Sequence, residues 1–292
     1  MLSVLAPAKL NLTLEVLAKR GDGFHEIRSV VQTIGLCDRL DFKLSEHITF
    51  RCDEPAWLLE KSLVPRAASL LQKASGCSQG ATIMVHKRVP LLSGLGGDSS
   101  DAAACLCGLN KLWGLSLSGG ELTRLASQLG SDVAFFLFGG TALVEGRGEV
   151  VSPLPSLLHM WVVLLMPPVS RLARKTTQLY AGLEASHYTE GQITDRLIAL
   201  LSRGEEVAPA NLVNVFDSVA DDSFTGLGDY QKQFLRAGAG SVHLAGSGPA
   251  LFTLAKDKLQ AERLYSNLKK RGLEAYLAET LEATKNVPDG RV

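Results

Sequence analysis

Residues 91–110, LLSGLGGDSSDAAACLCGLN, constrain the chain more than any other stretch. A glycine cluster runs into two serines and an aspartate, then into an alanine- and leucine-rich segment. This order predicts a loop opening onto a helix, with Ser99, Ser100 or Asp101 as its cap. Glycines adopt positive φ and carry no side chain, so successive N–H groups along Gly94, Leu95, Gly96 and Gly97 can converge on one anion. The helix adds unpaired N–H groups and the positive end of its dipole. Ser99 and Ser100 offer hydroxyls for hydrogen bonds or a place on Mg²⁺. The same residues also suit a plain tight turn, and composition alone leaves both readings open. Neither standard phosphate signature is present. A Walker loop needs Lys after its last glycine, where Asp98 stands, and the dinucleotide pattern needs a third glycine where Ser99 stands.

Ahead of this loop the pattern is mostly strand. Leu10, Leu12, Leu14 and Val16 alternate with Lys9, Asn11, Thr13 and Glu15, which predicts a half-buried strand. Strands are also expected at Ile27 to Ile34, Leu40 to Leu44, Ile48 to Arg51 and Ala81 to Lys87, and a helix at Leu58 to Ala74. Beyond the loop, Ser118 and Glu121 form a capping-box pattern for a helix reaching about Leu129, where Gly130-Ser131-Asp132 breaks it. A strand is expected at Thr141 to Val144. Pro153 and Pro155 mark a domain boundary, giving domains at 1–155 and 156–285 with a polar tail at 286–292. In the second half, the continuously apolar Met160 to Met166 predicts a central strand. Helices are expected at Lys175 to Leu183, Ile193 to Ser202, Leu212 to Ala220, Tyr230 to Ala237 and Asp257 to Lys270. Short strands are expected at Val242 to Ala245, Ala250 to Leu254 and Glu274 to Leu277. Strands interleaved with helices in both halves predict an α+β protein with a cleft between two layered domains. The turn Gly246-Ser247-Gly248-Pro249 reads as a hairpin connection, and gains meaning only if it faces the same cleft as the first glycine loop.

Composition narrows the function classes. At 292 residues and 46% hydrophobic, the chain can build a core without disulfides or structural metal. Its 30 basic and 30 acidic residues cancel, which argues against a broad nucleic-acid or anionic-membrane surface. A nucleotide pocket needs only a few local donors, so that class remains. Five cysteines without a matched pair read as reduced thiols. The amino terminus reads as strand rather than signal peptide, and 157–169 is too short to span a bilayer. A cytoplasmic protein is expected, with no membrane or nucleic-acid partner.

Several separated motifs carry a resemblance: APAKLNLTLEV at 6–16, GFHEIRSVVQTI at 23–34, VPLLSGLGGDSSDAAACLCGLN at 89–110, LGSDVAFFLFGGTALVEGRGE at 129–149, NVF at 214–216 and GAGSVHLAGSGPALFTL at 238–254. In this order they resemble the 4-diphosphocytidyl-2-C-methyl-D-erythritol kinase family. That family lies within the GHMP superfamily, named for galactokinase, homoserine kinase, mevalonate kinase and phosphomevalonate kinase. The resemblance implies an amino-terminal domain like the second domain of ribosomal protein S5 and a ferredoxin-like carboxy-terminal domain. It implies an enzyme that uses ATP and Mg²⁺ to phosphorylate the 2-hydroxyl of a small cytidine diphosphate substrate, as a monomer or weak homodimer. Lys9 and Asp132 match the family's catalytic pair, and Asn11 a nearby active-site asparagine. Phe24 and His25 match the pair that holds the cytosine ring. Pro90 and Gly94, Leu95, Gly96, Gly97, Asp98, Ser99 and Ser100 match the phosphate loop, and Gly246 lies in the third motif.

In such an enzyme Asp132 would accept the substrate hydroxyl's proton while Lys9 favours its charged form and offsets phosphoryl charge. Taken alone, Asp132 equally suits a helix cap, Lys9 a solvent-facing position and His25 polar surface. Tyr180 is a candidate to cover the cytosine face opposite Phe24, and Thr176 or Thr177 to touch substrate. The metal ligands are not assigned. Three departures from the family stand out. Asp98 replaces a common glycine and is expected to point outward or to meet phosphate through Mg²⁺, because direct contact would repel ATP. Ser62 replaces a common asparagine near the adenine region, and Ala245 a serine before GSG. The alternatives are a sibling kinase with another acceptor, or a nucleotide-binding protein without catalysis.

Overall fold

The computed structural model describes residues 1–170 and 175–283. Positions 171–174 and the expected polar tail at 286–292 lie outside the described residues, as do 284 and 285. The first half contains β1 (Leu2–Asn11), β2 (Thr13–Lys19), β3 (His25–Ser45), β4 (Thr49–Cys52), α1 (Leu63–Ser75), β5 (Gly80–His86), α2 (Gly97–Leu112), α3 (Gly119–Ala126), α4 (Ser131–Phe138), β6 (Thr141–Gly146) and β7 (Val150–Pro153). The second contains β8 (Trp161–Met166), α5 (Lys175–Ala181), α6 (Gln192–Ser202), β9 (Val213–Asn214), α7 (Ala220–Ser223), α8 (Leu227–Ala237), β10 (His243–Leu244), β11 (Leu251–Ala255), α9 (Lys258–Lys270) and β12 (Glu274–Glu279).

The 21-residue β3 organises the larger sheet, pairing antiparallel with β1, β2, β5 and β6. β4 joins β5 in parallel, β7 joins β6, and β9 returns from the second half to lie parallel to β2. The smaller sheet has the order β10-β11-β8-β12, and its pairings are antiparallel.

Helix α2, with its alanine-rich buried face, lies against the larger sheet. The approach is close because Gly108 has no side chain, and a Cβ there would stand 2.4 Å from the Phe42 ring. Fully burying a side chain such as Phe42 contributes roughly 1.5–3 kcal/mol. The two sheets are held together by a second apolar cluster. Leu10, Leu12, Val30 and Ile34 meet Val162, Leu164 and Phe252 there. The intervening Val163 and Leu165 belong with Leu264 and Leu268 of α9 to the larger core. Burial on both faces explains why β8 is continuously apolar, as the sequence predicted.

Several boundaries differ from expectation. The strand predicted at Leu10 to Val16 is two strands broken at Leu12, and it is not half-buried: Lys9, Asn11, Thr13 and Glu15 are all at most 7% exposed. The second half covers them. Thr194 of α6 donates its N–H to Glu15 at 2.6 Å and its hydroxyl to Thr13 Oγ1 at 2.9 Å. The helix expected from Leu58 begins at Leu63, after a 3₁₀ turn at Leu59–Lys61, because Ser62 caps it through the Val64 N–H. The helix expected at Leu212 to Ala220 is instead β9, a 3₁₀ turn at Val215–Ser218 and α7. Asn214 causes this, taking the Phe216 N–H and donating to the carbonyls of Leu244 and Gly246. Gly130-Ser131-Asp132 breaks one helix and begins another, α4, whose apolar residues Val133 to Leu137 are buried. The capping box at Ser118 and Glu121 is present as expected. All five cysteines are free thiols. Among the described residues no helix is long and apolar enough to cross a membrane.

Candidate active site

The site forms where β1, the loop before α2, the start of α4 and the β10–β11 turn meet. β1 presents Lys9 at its carboxyl end, and the Lys9 backbone N–H donates to the Leu95 carbonyl at 2.9 Å, fixing loop against strand. Lys9 Nζ donates to Asn11 Oδ1 at 2.7 Å, and Asn11 Nδ2 donates to Ser29 Oγ at 2.7 Å. Asp132, in the first turn of α4, brings Oδ2 to 3.5 Å from Lys9 Nζ. A carboxylate in that turn is favoured by the helix dipole.

The two glycine loops face one another. A Cβ on Gly94 would fall 2.1 Å from the Ala245 carbonyl oxygen, and one on Gly246 would fall 2.8 Å from the Gly94 carbonyl oxygen and 3.2 Å from Lys9 Nζ. Such approach is possible only between glycines, and at φ values of 91° and 53° both favour that residue. The turn at 246–249 is therefore more than a hairpin connection. It packs against the first glycine loop from the second half of the chain.

A cavity of about 370 Å³ opens beside this junction, lined by Lys9, Pro90, Gly94, Gly96, Gly97, Asp98, Ser99 and Asp132 among others. Leu95 and Ser100 are buried beneath it, and Ser100 Oγ has no hydrogen-bond partner. Trp57 and Leu58 line its apolar part, and Lys175 and Ser247 approach from the second domain. Thr176 donates its hydroxyl to Ser247 Oγ at 3.1 Å, which brings it to the same edge.

The Asp98 carboxylate meets the start of α1. It accepts from the Ser62 hydroxyl at 2.6 Å and from the Leu63 N–H at 3.0 and 3.2 Å. It caps α1, whose orphan N–H groups and dipole stabilise its charge. Ser62 and Asp98 thus form one contact between the starts of α1 and α2.

Under the loop, Lys87 Nζ donates to Asp38 Oδ2 at 2.5 Å and to Asp101 Oδ2 at 2.7 Å, with all three side chains buried. Asp38 Oδ1 also accepts the N–H groups of Arg88 and Val89. Burial opposes the ammonium, but Asp101 and Asp38 outweigh it and hold Lys87 above its ordinary value. Burial pushes the Asp101 carboxyl up to about 8, with Lys87 opposing and Asp38 adding. Sequence analysis read Lys87 only as a strand end and Asp101 only as a possible cap. Trp57 carries no sequence signal, and Lys175 reads only as a helix start. Nothing local distinguishes these side chains from surface ones.

Phe24 and His25 stand outside the 370 Å³ cavity. His25 stacks on Tyr180 at 4.7 Å between ring centroids and 12° between planes, with Tyr188 edge-on at 6.1 Å. Tyr180 therefore covers His25, while Phe24 lies under the Arg147 guanidinium at 4.9 Å. Burial, with Lys19 adding, holds His25 below its ordinary value. Burial and then the charge of Asp132 raise Tyr180 to about 12, so this aromatic group is within electrostatic reach of the Lys9–Asp132 pair.

Among the described residues, no group of three or more His, Cys, Asp or Glu is placed to hold a metal ion. The unpartnered Ser100 hydroxyl and the nearby Ser99 suit a cation carried by phosphate oxygens and water rather than by a protein cage.

The GHMP kinase N-terminal domain family matches residues 62–140, and the GHMP kinase C-terminal family matches 196–274. A 4-diphosphocytidyl-2-C-methyl-D-erythritol kinase of Dehalococcoides mccartyi is 49% identical over 281 residues, 96% of this chain and 99% of the relative. Another, from Geobacillus kaustophilus, is 39% identical over 273 residues, 92% and 93% of the two chains. A crystal structure of a 4-(cytidine 5'-diphospho)-2C-methyl-D-erythritol kinase superposes with a TM-score of 0.81 at 32% identity, covering 96% of this chain and 99% of that one. Homoserine kinase from Cytophaga hutchinsonii, at 19% identity and a TM-score of 0.72, shares the fold. With the two-domain α+β architecture and 49% identity over nearly the whole of both chains in hand, the chain belongs to the 4-diphosphocytidyl-2-C-methyl-D-erythritol kinase family of GHMP kinases.

Proposed function

We propose that this protein transfers the γ-phosphoryl group of ATP to the 2-hydroxyl of 4-diphosphocytidyl-2-C-methyl-D-erythritol, a step of non-mevalonate isoprenoid precursor synthesis. The observation that carries the reading is the convergence of both glycine loops on the Lys9–Asp132 pair. A Cβ at Gly246 would come within 3.2 Å of Lys9 Nζ, which itself lies 3.5 Å from Asp132.

Asp132 takes the hydroxyl proton as the acceptor oxygen bonds to the γ-phosphorus. The bond from that phosphorus to the β,γ-bridging oxygen breaks, and ADP leaves. Proton transfer to a positioned base contributes roughly 10²- to 10⁴-fold. Lys9, oriented by Asn11, offsets charge on the phosphoryl oxygens. Little covalent work falls to the protein, so the backbone N–H groups from Gly94 to Ser100 act by placement and charge compensation. Neutralising adjacent phosphates is what Mg²⁺ supplies when bound, and Ser99 and Ser100 are the side chains that would hold it. Pro90 borders the nucleotide end. Phe24 and a neutral His25 would receive the cytosine, because an uncharged imidazole offers one donor and one acceptor. Thr176 would meet substrate beside Ser247. In this reading 1–155 form the nucleotide-loop domain and 156–285 the second domain.

A coupled ADP-release assay with a panel of alcohols tests the proposal. The cytidylated methylerythritol should be turned over in strong preference to methylerythritol phosphate, homoserine and mevalonate. Preference for any of those three would overturn it.

A further inference from the structure

We propose that Lys175 is a cation of the triphosphate site, contributed by the second domain and set in place by the two glycine loops that it joins. Lys175 opens α5 and is only 7% exposed, yet it lines the same cavity as Gly94, Gly96, Ser99 and Ser247. Its Nζ donates to the Leu92 carbonyl at 2.7 Å and to the Gly248 carbonyl. Leu92 leads into the phosphate loop, and Gly248 lies in the turn that closes that loop from the other domain. One ammonium therefore ties both loops together.

Both carbonyls belong to residues with left-handed backbone, φ 54° at Leu92 and 62° at Gly248. That conformation is strained for leucine and persists only where the surroundings over-determine it. The Lys175 ammonium is one such determinant. Its side chain lines the cavity in which a polyanion would sit. The two carbonyl oxygens hold the ammonium beside the glycine loop whose backbone N–H groups would meet phosphate. The neighbouring Thr176–Ser247 hydrogen bond holds the first turn of α5 against the same loop.

This deepens the kinase reading and rests on it for the identity of the nucleotide. The test omits the acceptor alcohol, so it stands apart from the acceptor assay. Calorimetry would compare binding of a non-hydrolysable ATP analogue and of adenosine to the wild type, Lys175→Met and Lys175→Arg. Losing a charge-assisted contact should weaken the analogue about tenfold in Lys175→Met and leave adenosine nearly unchanged, with Lys175→Arg recovering most of the loss. Equal weakening of both ligands, or none, overturns the proposal. If Lys175→Met does not fold, acetylation of Lys175 in the wild type is followed by mass spectrometry. The analogue should slow labelling and adenosine should not. Equal rates with both ligands overturn the proposal as well.

Discussion

Lys9 Nζ lies 3.5 Å from Asp132 Oδ2, with the lysine side chain 8% exposed and the aspartate 43% exposed. The cation is fixed within the fold by Asn11, while the carboxylate remains open to an incoming hydroxyl. This asymmetry suits a base that must reach substrate and a cation that must not move.

Asp132→Asn keeps the shape and removes the base. Turnover should fall by roughly 10²- to 10⁴-fold. Calorimetric affinity for ATP should be little altered. Undiminished turnover would remove Asp132 from the mechanism.

Gly94→Ala places a methyl group 2.1 Å from the Ala245 carbonyl oxygen and 2.7 Å from the Gly248 nitrogen, both backbone atoms that cannot yield cheaply. ATP affinity should collapse. Gly114→Ala is the control, having a similarly positive φ of 63° but no atom within 4 Å. It should cost only the left-handed strain of about 1–2 kcal/mol and leave kinetics intact. Matching kinetic losses in the two variants would show that loop contact is not the cause.

Asp98→Ala removes the carboxylate that caps the start of α1. A lost cap costs about 0.5–2 kcal/mol. Thermal melting should fall by a few degrees while the Mg²⁺ concentration for half-maximal activity stays the same. A shifted Mg²⁺ requirement at unchanged stability would return Asp98 to the phosphate site.

The Asp101 carboxyl rises from 3.8 to about 8 in the folded chain. Between those values the folded state keeps a proton that the unfolded state has released, so this group's contribution to stability falls as pH rises from about 4 to about 8. Asp101→Asn has no such proton to release. Its melting temperature should gain on the wild type steadily across that window and level off above it. Parallel melting curves against pH would contradict the buried titration.

The glycine loop opening onto α2, the Ser118 capping box, the apolar β8 and most strands were legible because each depends on neighbours in sequence. Glycine permits a backbone, a serine caps its own helix, and apolar periodicity declares a buried face. Leu212 to Ala220 misled because its apolar spacing is helical, whereas Asn214 spends its side chain on the carbonyls of Leu244 and Gly246, some thirty residues away. His25 and Tyr180 lie far apart in sequence, and no local pattern could announce that they stack.

From the residue order alone came the family motifs, the α+β alternation and the glycine backbone on which an anion can rest. Tertiary structure alone decided that Lys9, Asn11, Thr13 and Glu15 are buried, that Asp98 caps α1, and that Lys87 sits between two aspartates. The physical reason is the same in each case. A charged side chain looks alike in sequence whether water or a distant residue satisfies it, and only tertiary packing decides which, within the first half for Asp98 and Lys87 and between the halves for Thr13 and Glu15.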